Sequence, residues 1–366
     1  MIEVISASAY RGSIRNNPTM DSLTQVALGA VVGEMALGRK LGWKAAAWGA
    51  FFGTLPDLDV IALPFLDPAA GIRWHRGWSH SIFVFTLASL LLGPLLMRFH
   101  RVRGVTGRDM GWLVFWAWST HVLIDCLTTY GTQIFEPFSD TRVAMNLLFI
   151  VDPLFTLPLL VGLFLALRLP VGSVARRRIP VVAVSVCTLY VGLALGMKTW
   201  ATFELRSKLE EQGKGGRLVQ VAPGSFNIIL WRGLLETEEA FHLTYWSPFD
   251  PGEPVVETIP KNRDLADDFA DEEVMAALRW FSRGQWVARR GDDGTLVIVD
   301  LRFTEIRDPR SRSLQPIFQW HLSRDEDGLV SAPMLRPTGL DYLGAAGLLW
   351  GRIWGNSADW NSLELF

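Results

Sequence analysis

The feature that most constrains the fold is a series of long apolar segments between residues 21 and 199. Segment 179–197 contains no charged residue, and segment 145–167 contains only Asp152. About 20 apolar residues in a helix span the hydrocarbon core of a bilayer. We therefore predict transmembrane helices at these two segments. Further spans or buried helices are predicted at 23–37, 43–55, 81–97 and 111–127.

The character of the chain changes after Met197. Residues 200–366 hold most of the acidic residues and contain short alternating segments that are typical of strands. The predicted fold class is an α-helical multi-pass membrane domain of about five or six helices, followed by a small soluble α+β domain. Predicted elements of the second domain are a charged helical linker (203–212), a helix (271–281) capped by Asp271, and strands at 218–221, 226–231, 241–246, 286–289, 295–303 and 317–322.

These patterns predict three regions. Residues 1–19 are predicted to be a poorly ordered extension, because they are polar and lack the apolar core of a signal peptide. Residues 20–199 form the predicted membrane domain, and residues 200–366 form the soluble domain. Met20 directly precedes helix-capping residues, so an alternative interpretation is that translation starts there.

The distribution of charge indicates partners and orientation. The net charge of −2 argues against a nucleic-acid-binding surface as the main role. Basic residues gather in three connections, and basic loops stay in the cytoplasm. The apolar segments then alternate across the membrane, and the soluble domain is expected on the extracytoplasmic side. The basic connections contain Arg39, Lys40 and Lys44; Arg98, Arg101, Arg103 and Arg108; and Arg168, Arg176, Arg177 and Arg178.

Histidines and aspartates at the ends of the apolar segments are the candidate functional groups, since ionisable groups are costly in a membrane. His121 and Asp125 are spaced i, i+4 and face one side of a helix. The Pro-Asp-Leu-Asp turn at 56–59 offers two carboxylates, and a short turn brackets two histidines. Nitrogen and carboxylate ligands suit zinc, with manganese or iron as alternatives. The predicted metal ligands are Asp57, Asp59, His75, His80, His121 and Asp125.

Further residues have predicted roles around this metal. A bound metal would activate a water for attack, with Asp59 or Asp152 as a carboxylate that takes part in catalysis. Arg76 is placed to pair with an anionic substrate. Secondary candidates for the site are Thr24, Gln25 and Glu34.

Each pair also has a purely structural interpretation. His121 and Asp125 alone could form a buried hydrogen-bonded pair. Asp57 and Asp59 could cap the next segment, and Asp152 before Pro153 could be a helix N-cap. The metal interpretation is favoured because the alternation of the segments places these groups at one membrane face.

The spaced motifs of the first half resemble those of the bacterial membrane-bound metal-dependent hydrolase family of the YdjM type. That resemblance implies a multi-pass protein of the bacterial inner membrane with a metal-dependent hydrolase site. Many members of the family carry histidine at the position of Gln25, which would remove or weaken one ligand here. The matching segments are 20–25, 53–59, 75–81, 121–125, 130–132, 137–139 and 150–153.

The predicted function is therefore hydrolysis of an ester, such as a lipid or lipid-linked phosphoester, by a metal-activated water. The expected partners are the lipid bilayer and a lipid-like substrate, without nucleic acid. One alternative is a transporter or proton relay that uses the same groups, although no inverted repeat supports it. Another is a membrane anchor for the second domain in which metal only joins helices.

Overall fold

The computed structural model describes residues 22–98, 104–213, 215–291, 294–326 and 328–363. The predicted extension 1–19 and the alternative start at Met20 lie outside these residues. The described chain forms two compact units. Among the described residues, one unit holds 22–63 and the segment Trp74–Leu195, and the other holds Pro64–Arg73 and 196–363. The predicted boundary at 199/200 differs from this division mainly in the segment Pro64–Arg73.

The first half of the chain is helical. Three segments of the described part are long and apolar enough to cross a membrane, namely Trp43–Phe65, Gly107–Leu127 and Val174–Glu211. A fourth span results if Pro68–His80 and Ile82–Leu96, which meet at a 49° bend, are counted as one. The helices are α1 (Ser22–Leu41), α2 (Trp43–Thr54), α3 (Pro68–Trp74), α4 (Ile82–Leu96), α5 (Gly107–Leu127), α6 (Pro153–Arg168) and α7 (Val174–Glu211), with 3₁₀ turns at Leu55–Phe65 and Trp78–His80.

The largest differences from the predicted helix boundaries are in α6 and α7. The helix predicted at 271–281 begins at Glu273, with Glu272 and not Asp271 at its N-cap position. The segment 145–167 becomes helical only at Pro153, because the carboxylate of Asp152 accepts hydrogen bonds from the backbone of Leu154 and Phe155. This N-cap and the proline at the first helical position set the start of α6. The linker predicted at 203–212 is not a separate helix. It continues α7 without interruption, since no proline follows Pro180 in that helix.

Glycines bring the backbones of α1 and α2 into contact. A Cβ atom at Gly49 would overlap the carbonyl oxygen of Gly29, and one at Gly33 would overlap that of Ala45. Small residues allow such close approach between membrane helices. The contact fixes the C-terminal end of α2, where Gly53 lies beside Gly29.

We expect the substitution Gly49→Ala to lower the free energy of unfolding by about 1–3 kcal/mol, since the helix backbones must separate to admit the methyl group. Thermal unfolding in detergent measures the effect. Gly192→Ala is the matched control, because no described atom outside the local helix backbone lies within 4 Å of a Cβ at that α7 position. Equal unfolding temperatures for the two variants would contradict the close packing.

The second half of the chain forms β-sheets with antiparallel neighbours. One sheet has the order β1-β2-β3-β4 and another the order β10-β9-β6-β5, while β7 and β8 pair separately. The strands are β1 (Arg217–Pro223), β2 (Trp231–Glu236), β3 (Ala240–Trp246), β4 (Val256–Pro260), β5 (Trp286–Arg290), β6 (Leu296–Asp300), β7 (Ile306–Asp308), β8 (Ser313–Gln315), β9 (Gln319–Arg324) and β10 (Val330–Ser331). The helices are α8 (Glu273–Phe281), α9 (Tyr342–Ile353) and α10 (Ala358–Asn361).

The strand predicted at 226–231 is wrong. The side chain of Asn227 accepts hydrogen bonds from the backbone of Ile229 and Leu230, and Phe226 has a φ of 64°. Such a side-chain turn replaces the strand hydrogen bonds. The strand β2 therefore begins only at Trp231.

A buried ionic cluster lies in the β-sheet unit. The carboxylate of Glu305 contacts the guanidinium groups of Arg232 and Arg307 at 3.2 and 3.5 Å and accepts a hydrogen bond from the Tyr245 hydroxyl at 2.7 Å. Burial alone would raise the pKa of Glu305, but the two arginines outweigh it and hold that pKa below its ordinary value. The carboxylate is therefore charged and paired within the core.

Candidate metal centre

Helix α5 presents two of the candidate ligands on one face. His121 and Asp125 are one turn apart, and their side chains are buried with exposures of 0% and 2%. The distance from His121 Nε2 to Asp125 Oδ2 is 3.4 Å. The i, i+4 spacing thus gives the shared face that helix geometry dictates.

Two other elements add the remaining groups. The 3₁₀ segment Leu55–Phe65 supplies Asp57, and the turn Trp78–His80 supplies His80. Nε2 of His80 lies 3.1 Å from Asp125 Oδ2 and 3.1 Å from Nε2 of His121. Oδ1 of Asp57 lies 3.4 Å from the Nε2 atom of each histidine. One donor atom from each of the four residues lies within 4.8 Å of all the others.

Neighbouring groups decide which nitrogen of each histidine faces the cluster. Nδ1 of His121 lies 2.7 Å from the carbonyl oxygen of Gly53, which only accepts, so Nδ1 carries the proton. The Ser79 hydroxyl donates to Asp59 Oδ2 at 3.0 Å and lies 2.9 Å from Nδ1 of His80. Because its hydrogen is used by Asp59, Ser79 accepts the proton of Nδ1. In the neutral imidazole form, both histidines therefore direct a lone pair on Nε2 into the cluster.

The cluster contains polar atoms that its own hydrogen bonds leave unsatisfied. Within the described part of the chain, neither oxygen of Asp57 nor Oδ2 of Asp125 has a hydrogen bond of adequate geometry. Buried carboxylate oxygens are costly without a partner. With neutral imidazoles, the carboxylates of Asp57, Asp59 and Asp125 and the guanidinium of Arg76 leave a net negative charge that a divalent cation can balance. The donor set therefore fits a divalent metal.

Asp59 and His75 lie beside this four-donor group and form a separate pair. Nδ1 of His75 is 2.7 Å from Asp59 Oδ1, and the carboxylate also accepts from the backbone of Arg76. Among the described residues, Nε2 of His75 has no hydrogen-bond partner, although the residue is buried with an exposure of only 5%. Asp59 thus orients the cluster through Ser79 and holds His75. The prediction that both residues bind metal directly stays a prediction.

The guanidinium of Arg76 contacts a candidate ligand. It lies 3.0 Å from Asp125 Oδ1 and over the ring of Tyr130 at 4.8 Å, and the residue is only 1% exposed. Its backbone has a φ of 59°, which is uncommon outside glycine and is held here by hydrogen bonds to Asp59 and Gln133. These contacts favour a role in orienting Asp125, whereas the predicted contact with a substrate stays untested.

The secondary candidates and the predicted catalytic Asp152 are distributed over different places. Gln25 donates to Asp125 Oδ1 at 3.1 Å and so adjoins the cluster, and Thr24 is hydrogen-bonded to Thr156. Asp152 caps α6 and accepts from the Tyr190 hydroxyl at 2.8 Å. Glu34 forms a two-point contact with Arg176 at 2.7 and 3.1 Å, outside the four-donor group. Gln25 thus touches a candidate ligand directly.

Two groups of the site carried no functional prediction. Ser79 and the carbonyl of Gly53 orient the histidines, and both lie within motifs in which other residues are the predicted ligands. A hydroxyl directly before a histidine was the available signal for Ser79. A backbone carbonyl gives no sequence signal, so the role of Gly53 depends on the packing of α2 against α5.

Replacing Ser79 with alanine is expected to weaken metal binding by about 10–100-fold, the usual effect of losing a group that orients a metal-binding histidine. The change removes the link between Asp59 and Nδ1 of His80. Metal titration of the purified variant measures the affinity. Ser89→Ala is the control, because the hydroxyl of that buried serine donates to the carbonyl of Thr86 within α4, and no described contact links it to the metal centre. Equal affinities in both variants would refute the orienting role of Ser79.

Apolar helices long enough to cross a bilayer and a buried cluster of histidine and aspartate define the class: a membrane protein with a candidate metal centre. The comparison with protein families then gives the particular group. Residues 20–201 match the model of the YdjM inner membrane protein family, and this part of the chain belongs to that family. The match confirms the resemblance inferred from the motifs.

A further comparison extends the relationship to one curated protein. The uncharacterized protein YfhP of Bacillus subtilis (strain 168) is 32% identical over 146 residues, which are 37% of this chain and 42% of that protein. The chain thus spans less than half the length of this relative. No solved structure gives a significant match.

Proposed function

We propose that the protein is a membrane-bound metal-dependent hydrolase whose metal is held by Asp57, His80, His121 and Asp125. The observation that carries the proposal is the convergence of four donor atoms from separate elements within 4.8 Å. The proposal is further supported by the two histidines, whose Nδ1 protons are already engaged elsewhere. The metal is zinc by preference, with manganese or iron as alternatives.

A divalent metal at such a site supplies Lewis acidity and lowers the pKa of a water molecule. The protein groups around it have separate tasks. Arg76 and Gln25 hold Oδ1 of Asp125, so that Oδ2 is left for the metal. His75 receives or returns a proton at Nε2, while Asp59 keeps its Nδ1 protonated. Asp57, with a side-chain exposure of 11%, is the most exposed of the four ligands and marks the approach for a substrate.

The proposed substrate is an ester in a lipid or lipid-linked compound, most simply a phosphoester. This choice is supported by the position of the donors at the ends of apolar segments, where a headgroup can reach them while its tails stay in the bilayer. We also propose that the chain crosses the inner membrane several times and that the β-sheet unit lies on the extracytoplasmic side. The distribution of basic connections supports this orientation.

A second candidate function is a structural metal that joins helices. Four protein ligands without an open position are typical of structural zinc sites. The exposures of 0% for both ligand histidines favour this interpretation. In that case the metal stabilises the fold, and the membrane unit acts as an anchor for the β-sheet unit.

The test begins with elemental analysis of protein purified in detergent without chelators. About one equivalent of metal per chain is expected. The metal-loaded protein is then assayed with a phosphomonoester lipid, a phosphodiester lipid and a carboxylic ester lipid. His75→Gln is the informative variant, since loss of a proton-transfer group costs about 10²–10⁴-fold in rate without removing a ligand.

The outcomes separate the two candidates. Turnover that requires metal and falls in His75→Gln supports the hydrolase. Bound metal without turnover of any ester, together with a lower unfolding temperature after chelation, supports the structural site. Protein that neither retains nor takes up zinc, manganese or iron refutes both.

A further inference from the structure

A groove in the helical unit lies apart from the metal centre. It has a volume of about 540 Å³ and is formed by the C-terminal part of α1, the turn before α7 and the first turns of α7. Glu34 at this groove and Gln25 at the metal centre are nine residues apart on α1, which is about 13 Å along a helix. The groove is therefore a separate candidate site.

Positive charge dominates the rim of the groove. Arg39 comes from α1, and Arg177 and Arg178 come from α7. All three side chains are exposed, and none forms an ion pair with a described acidic residue. Three arginines from two helices thus line one cavity, and no described acidic residue pairs with them. An anionic ligand would supply that charge.

The floor of the groove is built from a fixed ion pair. Arg176 holds Glu34 at two points and donates to the carbonyl of Leu169 at 3.0 Å, so its charge is already balanced. A Cβ atom at Gly38 would overlap the Glu34 carboxylate, which shows that this position leaves room for the pair. The buried pair joins α1 to α7 and holds the arginines of the rim beside each other.

The wall beside the arginines is apolar. Val181 and Val182 line the groove next to Pro180, and their exposures are 48% and 59%. They begin the uncharged segment of α7, so the arginines lie at the boundary between charged and apolar surface. A ligand that follows this boundary has an anionic head and hydrocarbon tails. Basic pockets between membrane helices bind such headgroups.

We propose that this groove binds the phosphate of an anionic phospholipid through Arg39, Arg177 and Arg178. The shared chemistry is a phosphate ester, which a soluble organic phosphate also carries. The apolar wall favours the lipid as the source. The proposal does not depend on the hydrolase assignment, since none of its residues touches the metal centre.

The test uses the full chain in a non-ionic detergent. Native mass spectrometry measures binding of dioctanoyl phosphatidylglycerol, with dioctanoyl phosphatidylcholine and glycerol 3-phosphate as comparison ligands. Phosphatidylglycerol is expected to bind on the order of tenfold more tightly than the zwitterionic lipid. The variant Arg177→Gln/Arg178→Gln is expected to lose this preference. Arg206→Gln/Arg217→Gln removes the same charge from exposed positions elsewhere and serves as the control.

The results decide both the site and the source of the phosphate. Loss of phosphatidylglycerol binding in the groove variant but not in the control supports the proposal. Glycerol 3-phosphate that binds as tightly, with the same dependence on Arg177 and Arg178, supports the phosphate site and assigns it to a soluble compound. Equal binding by the groove variant and the control variant overturns the proposal. Both pairs are exposed, so thermal unfolding should show that each variant remains folded.

Discussion

Alanine at position 121 is expected to reduce the metal affinity of the purified protein by at least about 100-fold. Loss of a group that only orients a ligand already costs about 10–100-fold, and His121 is itself a proposed ligand. The substitution removes Nε2 from the cluster and leaves the carbonyl of Gly53 without its donor. Metal content per chain after dialysis measures the effect. His242→Ala is the matched control, since that histidine bonds to Thr258 in the β-sheet unit.

A second variant distinguishes loss of metal binding from loss of folding. Asp57→Asn preserves shape and breaks no hydrogen bond among the described residues, because neither oxygen of Asp57 makes one. If the cluster binds metal, this variant loses affinity while its metal-free form remains as stable as the parent. If the cluster is only a set of ion pairs with protonated histidines, removal of the Asp57 carboxylate lowers the stability of the metal-free protein. In that case no metal is found in the parent protein or in the variant.

The parts of the site that local geometry dictates could be predicted from the sequence. His121 and Asp125 face the same side because they are one helical turn apart. Asp57 and Asp59 differ in a way that the sequence does not reveal. Their side chains point in different directions from a 3₁₀ segment. Asp57 faces His80 and His121, whereas Asp59 faces Ser79 and His75. That division depends on how the turn at Trp78–His80 packs against the segment.

Arg76 illustrates a second limit of prediction. An arginine between two histidines suggests a contact with an anionic substrate, but its backbone conformation turns the side chain towards Asp125. Only tertiary contacts could have indicated this. The contact of Glu34 could not be predicted either, since its partner Arg176 is 142 residues away in the chain.

The fold was predictable where a long periodic or apolar segment existed. The apolar segment of α7 and the change to β-structure after it needed only composition. The start of α6 was misjudged because hydropathy continues across Asp152, although the Asp-Pro pair is itself a helix-start signal. The short strands β4, β7 and β8 were not predicted, since three to five residues carry too little pattern.

The substitution Glu305→Gln is expected to destabilise the β-sheet unit by about 3 kcal/mol, because it leaves Arg232 buried without its carboxylate partner, while Arg307 keeps its two-point contact with Glu257. Hydrogen exchange of the β2 amides in the full chain measures the opening free energy. Glu272→Gln is the matched control. Its partner Arg324 is 42% exposed, and such a surface pair contributes about 0–1 kcal/mol.

The pH dependence of this difference tests its electrostatic origin. Burial would raise the pKa of Glu305, but Arg232 and Arg307 lower it below the ordinary value, so the folded state holds the charged form more strongly than the unfolded state does. The stabilisation is therefore complete above the unfolded pKa of about 4.3 and declines as the pH falls through the lower folded pKa. The parent protein should lose its greater stability relative to Glu305→Gln in that acidic range and keep it at neutral pH. An advantage that is unchanged on acidification would mean that the glutamate acts through shape and packing instead of through its charge.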